Sequence, residues 1–170
     1  NTSVIEGSFD PERTSLHGSI HVATAEITRG DPALTIRKQP HQIITLDTML
    51  GQGMMSEEMR RFLELGVRGR SNFLIAGGSG AGKTTLARAL SWYIDHNQRI
   101  ITIEEIDELH LADRLPNVVS LTTFKKVGAN GEIIRRVELE DLVREALRMR
   151  ADRIWVGETR GRESYALVKA

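Results

Sequence analysis

Apolar positions recur along this chain with two periods. Residues 18–27 partly alternate and are rich in Ile, Val and Thr, which predicts strand. A further strand is expected over residues 33–38, after the turn Arg29-Gly30-Asp31-Pro32 and before Pro40. From Ser56 the period becomes helical. Ser56 suits a cap, Glu57 and Glu58 suit a first turn, Met59, Phe62 and Leu63 fall on one face, and Gly66 marks an end. Residues 72–76, 99–103 and 152–158 are short apolar runs that read as buried strands. Leu86, Ala89, Leu90 and Tyr93 recur at helical spacing, as do Leu139, Leu142, Val143, Ala146 and Leu147. Residues 118–123 and 133–137 flank Asn130-Gly131, a pair that favours a hairpin turn.

This order of strands and helices predicts an α/β domain with a mainly parallel sheet over residues 56–170. Residues 39–55, with Pro40, Gly51 and Gly53, read as a linker from a smaller α+β part over residues 1–38. Residues 162–170 read as a helix without a stop signal, so the native protein is expected to continue past Ala170.

The stretch Gly77-Gly78-Ser79-Gly80-Ala81-Gly82-Lys83-Thr84, followed by Thr85, carries chemistry. It fits the phosphate-loop pattern G-x-x-x-x-G-K-[ST] without departure, between a predicted strand and a predicted helix. Glycines let the backbone curl so that successive N–H groups face an anion. The helix N-terminus adds its dipole, Lys83 adds a compact charge, and the Thr84 hydroxyl suits Mg²⁺. ATP with Mg²⁺ is the expected ligand.

Composition narrows the classes. Among 170 residues, 23 basic and 23 acidic side chains cancel, so no global field favours nucleic acid, and no direct nucleic-acid binding is expected. The absence of cysteine excludes disulfides and thiol chemistry. No apolar run reaches membrane-spanning length, so membrane association, if any, is expected to be peripheral. His17, His21, His41, His96 and His110 show no metal-ligand spacing.

Hydrolysis of a bound triphosphate needs a carboxylate that orients water, and positive charge near the phosphates. Glu158 ends the apolar run 154–157, and Glu104 ends the run 100–103. Glu105, Asp107 and Glu108 continue the acidic stretch. In a parallel sheet such strand ends lie along the ligand edge. Glu158 and Thr84 are the candidate metal ligands. A small-molecule kinase, or a nucleotide-binding module without turnover, would use the same loop.

Four ordered elements carry a resemblance. They are Leu34-Thr35-Ile36-Arg37-Lys38, the loop at 77–85, Ile101-Thr102-Ile103-Glu104-Glu105 with Glu108-Leu109, and Leu147-Arg148-Met149-Arg150 leading to Gly157-Glu158-Thr159-Arg160-Gly161. Together they resemble the secretion (traffic) ATPases of type II and type IV secretion, conjugation and type IV pili. Among the branches they are similar to the CpaF-like ATPases of tight-adherence pili and to related type IV secretion ATPases. The resemblance implies a RecA-like P-loop NTPase domain behind an N-terminal domain and a hexameric ring. It also implies a cytoplasmic, at most peripheral, place beside inner-membrane secretion or pilus proteins. It implies that Glu104 and Glu105 form an acidic box acting on the attacking water, with Glu105 standing where the family usually has Asp. Glu158 would be the Walker B acid. Arg37 would reach the nucleotide from the N-terminal domain, and Arg148 and Arg160 would serve the phosphates or the subunit boundary.

Overall fold

The computed structural model describes residues 4–8, 18–38, 44–127 and 132–158. The chain divides into two compact units, residues 1–43 and 44–170. In the first, β1 (Val4–Ser8), β2 (Gly18–Ala23) and β3 (Ala33–Lys38) form an antiparallel sheet in that order. The expected strand over 18–27 stops at Ala23, and Ala25–Thr28 turns into a short helix, α1. Arg29 follows in the left-handed region at φ 55° and leads into β3.

The second unit is built on a parallel sheet of β4 (Ile100–Glu104), β5 (Val118–Thr122) and β8 (Arg153–Val156), ordered β5-β4-β8. All five residues of β4 are buried, as a central parallel strand requires. Its side chains alternate between two clusters. Ile101 and Ile103 meet Leu139, Leu142, Val143 and Ala146 of α5 (Leu139–Ala146). Ile100 joins a cluster on the other face with Leu46 and Met49 of α2 (Leu46–Gly51), Val67 of α3 (Glu57–Arg68), and Ala89 and Leu90 of α4 (Lys83–Ser91). Each fully buried aliphatic side chain contributes about 1.5–3 kcal/mol. Helices on both faces therefore lock the strand that ends in Glu104.

Several expectations need correction. Six residues of the expected linker are helix. Thr45 caps α2 by accepting from the Thr48 amide, and Leu46 and Met49 are core residues of the second unit. Helix α3 starts as expected, with Ser56 accepting from the Met59 amide, but it runs through Gly66 to Arg68. Its expected apolar face is largely outward, since Met59 and Phe62 are 55% and 71% exposed. Leu63 of that face does pack inward, joined by Val67 one turn on. Gly66 lies inside the helix and serves packing there, since a Cβ would lie 2.7 Å from the Phe73 ring.

The run 72–76 forms no strand. It has no ladder partner among the described residues, and Leu74 is 91% exposed while Ile75 packs against the core. The expected hairpin exists, but β7 (Ile133–Val137) pairs antiparallel with β6 (Phe124–Val127) and not with residues 118–123. Of the expected run 118–123, residues 118–122 form β5 and lie parallel to β4 instead. The Asn130-Gly131 turn and the helix expected over 162–170 lie outside the described residues. Leu147, expected on the buried face of α5, is 48% exposed just after the helix ends at Ala146.

Candidate active site

The loop before α4 takes the conformation that its glycines permit. Gly80 and Gly82 have φ of 72° and 87°, in the left-handed region where a side chain is strained. Gly77 lies close against the loop, where a Cβ would sit 3.3 Å from Ala81 Cβ. The Ala81 amide donates to the Gly78 carbonyl at 3.3 Å and closes the turn. Helix α4 then begins at Lys83, with Gly82 as its cap and no side chain on its first-turn amides. Those amides and the positive end of the dipole are the chemistry that an anion needs. Lys83 bends back over the loop, its Nζ donating to the carbonyls of Gly77 and Gly78 at 3.0 and 2.8 Å. Thr84 and Thr85 follow in the first turn of α4, partly buried.

Glu104 is the unusual group. It ends the central strand and is only 3% exposed. Its Oε1 accepts from the amides of Glu108 and Leu109 at 3.1 and 3.2 Å. Its Oε2 is buried without a hydrogen-bond partner. Burial pushes its pKa up to about 7, the nearby Asp107 adds to this, and the two amides oppose it. Thr102 Oγ1 is the other buried polar side-chain atom without a partner among the described residues. Alternation puts Thr102 and Glu104 on the same sheet face as Ile100, the face whose cluster contains α4. Both orphaned atoms thus lie on the side of the sheet that carries the phosphate-loop helix.

Strand β8 runs parallel beside β4, and the Gly157 amide extends their ladder by donating to the Ile103 carbonyl at 2.9 Å. Gly157 lies directly against Glu104, and Glu158 follows at the exposed strand end. The structure therefore brings together two of the acids marked by sequence, at adjacent strand ends. Glu105 is exposed, so the acid buried at this edge is Glu104.

The family model for "Type II/IV secretion system protein" matches residues 15–170. The chain belongs to this family. Among curated members, it is 33% identical over 176 residues to the conjugal transfer protein TrbB of Rhizobium radiobacter, covering 98% of this chain and 50% of that protein. It is 46% identical over 104 residues to a putative conjugal transfer protein of Mycobacterium tuberculosis, covering 61% of this chain and 28% of the other. An uncharacterized protein of Methanocaldococcus jannaschii is 38% identical over 156 residues, 89% of this chain and 21% of that protein. Among solved structures, the VirB11 ATPase of the Brucella suis type IV secretion system, in complex with sulphate, superposes with a TM-score of 0.56 at 27% identity. The match covers 98% of this chain and 52% of that one. The chain thus spans between about a fifth and a half of the length of these secretion-family relatives.

The other residues marked by the secretion-family resemblance stand on other elements or outside the described residues. Arg37 stands on β3, opposite Ser19, in the first unit. Arg148 is 77% exposed just past α5 and pairs with Glu145 at 3.4 Å, a surface pair of little energetic weight. Arg160 lies outside the described residues. Sequence reasoning missed that the loop after Glu104 folds back on it: the backbone amides of Glu108 and Leu109 hold the buried carboxyl, and the Asp107 side chain raises its pKa. Only the break in apolar periodicity after residue 104 signalled a loop there.

Proposed function

We propose that this chain binds ATP with Mg²⁺ and is the part of a secretion, conjugation or pilus-assembly motor that hydrolyses it. One observation carries this reading. An uncapped phosphate-loop helix packs on one face of a parallel sheet, and on that same face the central strand ends in a buried carboxyl with an orphaned oxygen. The membership of the secretion family and the relatives' names, which include an ATPase, support it.

The residues divide the work by chemistry. The amides of the loop and of the first turn of α4 cradle the phosphates, and Lys83 turns from its own loop carbonyls to the bound anion. Glu104, with a pKa near 7, takes a proton from an attacking water without large cost in either state. Thr84 and Glu158 would hold Mg²⁺, which when bound would supply positive charge against the negative charge developing on the phosphates. Among the described residues no cluster of three or more His, Asp or Glu side chains would hold a metal unaided, and a phosphate-bound Mg²⁺ needs only one or two protein ligands. The whole protein would act as a homo-oligomeric ring, on the order of six subunits. It would work at the cytoplasmic face of an inner membrane and pass its motion to secretion or pilus proteins there. No described helix is long and apolar enough to cross a membrane.

The test is ATP turnover by the full-length protein with Lys83→Ala and Glu104→Gln. Lys83→Ala should weaken nucleotide binding, while Glu104→Gln should keep binding and lower kcat by about a hundredfold or more. Unchanged turnover in Lys83→Ala would sink the proposal. Phosphate transfer to an added acceptor would favour a kinase instead.

A further inference from the structure

The pair Gly157-Glu158 reads by pattern as a strand end followed by an acid, and the glycine has no evident task. Its backbone does not demand glycine, since only Gly53, Gly80 and Gly82 have positive φ among the described glycines. What demands it is space. A Cβ on Gly157 would lie 2.8 Å from Glu104 Cγ, 3.0 Å from Oε1 and 3.3 Å from Cδ. The first of these is the near end of the side chain, so rotating the carboxyl alone does not remove the overlap.

Neither partner can yield cheaply. The Gly157 amide is bonded to the Ile103 carbonyl at 2.9 Å, which pins this stretch to β4. The amides of Glu108 and Leu109 hold Oε1, the oxygen that this Cβ would crowd. Glu104 is thus clamped by a glycine backbone and two loop amides.

We propose that Gly157 is a positioning residue, whose missing side chain is the space that holds the Glu104 carboxyl against the Glu108 and Leu109 amides. This deepens the proposed function and rests on it, because the position matters to turnover only if Glu104 serves the reaction. The substitution Gly157→Ala pushes the carboxyl off its two amides and displaces it by a few tenths of an ångström or more. A misplacement of about 1 Å in a catalytic group costs up to a hundredfold in rate.

The experiment is a double-mutant cycle in the full-length protein, with Gly157→Ala, Glu104→Ala and both together. Thermal midpoints and binding of a fluorescent ATP analogue are read for all four proteins, and ATP turnover for the parent and Gly157→Ala. Gly157→Ala should lower kcat by about tenfold or more with KM for ATP nearly unchanged. It should also lower Tm, and Glu104→Ala should largely restore that loss, because the overlap is with the Glu104 side chain. If Gly157→Ala alone fails to fold, folding of the double variant still supports the clamp.

The inference is overturned if Gly157→Ala costs the same Tm in both backgrounds, if it prevents folding in both, or if kcat is kept. Failure of the underlying reading looks different. There the parent shows no turnover, or Glu104→Gln keeps full activity, while the Tm coupling between residues 104 and 157 persists.

Discussion

Glu104 concentrates the chemistry of the second unit in one side chain. It is a carboxyl at the end of a strand buried on both faces, held by two amides through one oxygen and by nothing through the other. Burying it costs stability when it is charged, and protonation relieves that cost. The sign of the pH dependence follows. Its folded pKa of about 7 lies above the ordinary 4.5, so between these values the folded chain keeps a proton that the unfolded chain has lost. The stabilisation is fully present below about pH 4.5 and is lost as pH rises through about 7. The loss is on the order of 3 kcal/mol. Urea unfolding at about pH 5 and about pH 8 should show this decline in the parent chain and a flatter profile in Glu104→Gln. Equal slopes in both proteins would mean that the group titrates normally.

At the scale of elements, local signals placed helices better than they placed faces. Ser56 was legible as a cap because hydroxyl residues satisfy first-turn amides, and its oxygen does accept from Met59. Replacing Ser56 with Ala should cost about 1 kcal/mol by chemical denaturation, without loss of nucleotide binding. The face of α3 was misread because Met59 and Phe62 suggest a core by type, yet spacing alone does not say which neighbour covers them. The interior took Leu63 and Val67, and the Arg60 side chain is largely covered. The Arg60 guanidinium pairs with Glu64 at 3.2 Å and with Asp47 of α2 at 3.4 Å, tying the two helices together. Residues 72–76 were misread for a related reason. An apolar run has the composition of a buried strand, but a strand also needs a ladder partner. The hairpin partner differs because the expected run stops at residue 123, one residue short of β6, the short strand that pairs with β7.

At the scale of the molecule, the two units have different constructions. The first is an antiparallel sheet of sequential strands, and the second is a parallel sheet with helices on both faces. The family's span over residues 15–170 runs across both. If the whole protein is a ring motor, sedimentation of the full-length form with Mg²⁺ and a non-hydrolysable ATP analogue should show a species on the order of six subunits. A monomer or dimer under all conditions would argue for a switch or a kinase.

The phosphate loop, its helix and the strand ending in Glu104 could be read from the residues alone. Their signals are local: glycines where φ must be positive, a lysine at fixed spacing, β-branched runs of strand length. The strand order β5-β4-β8, the depth of Glu104 and the contact with Gly157 could not. They arise where segments some 50 residues apart in the chain meet, Ile103 with Val156 and Gly157 with Glu104. Residue type marks a carboxylate as a candidate, but only packing removes the water around it and shifts its pKa towards neutrality.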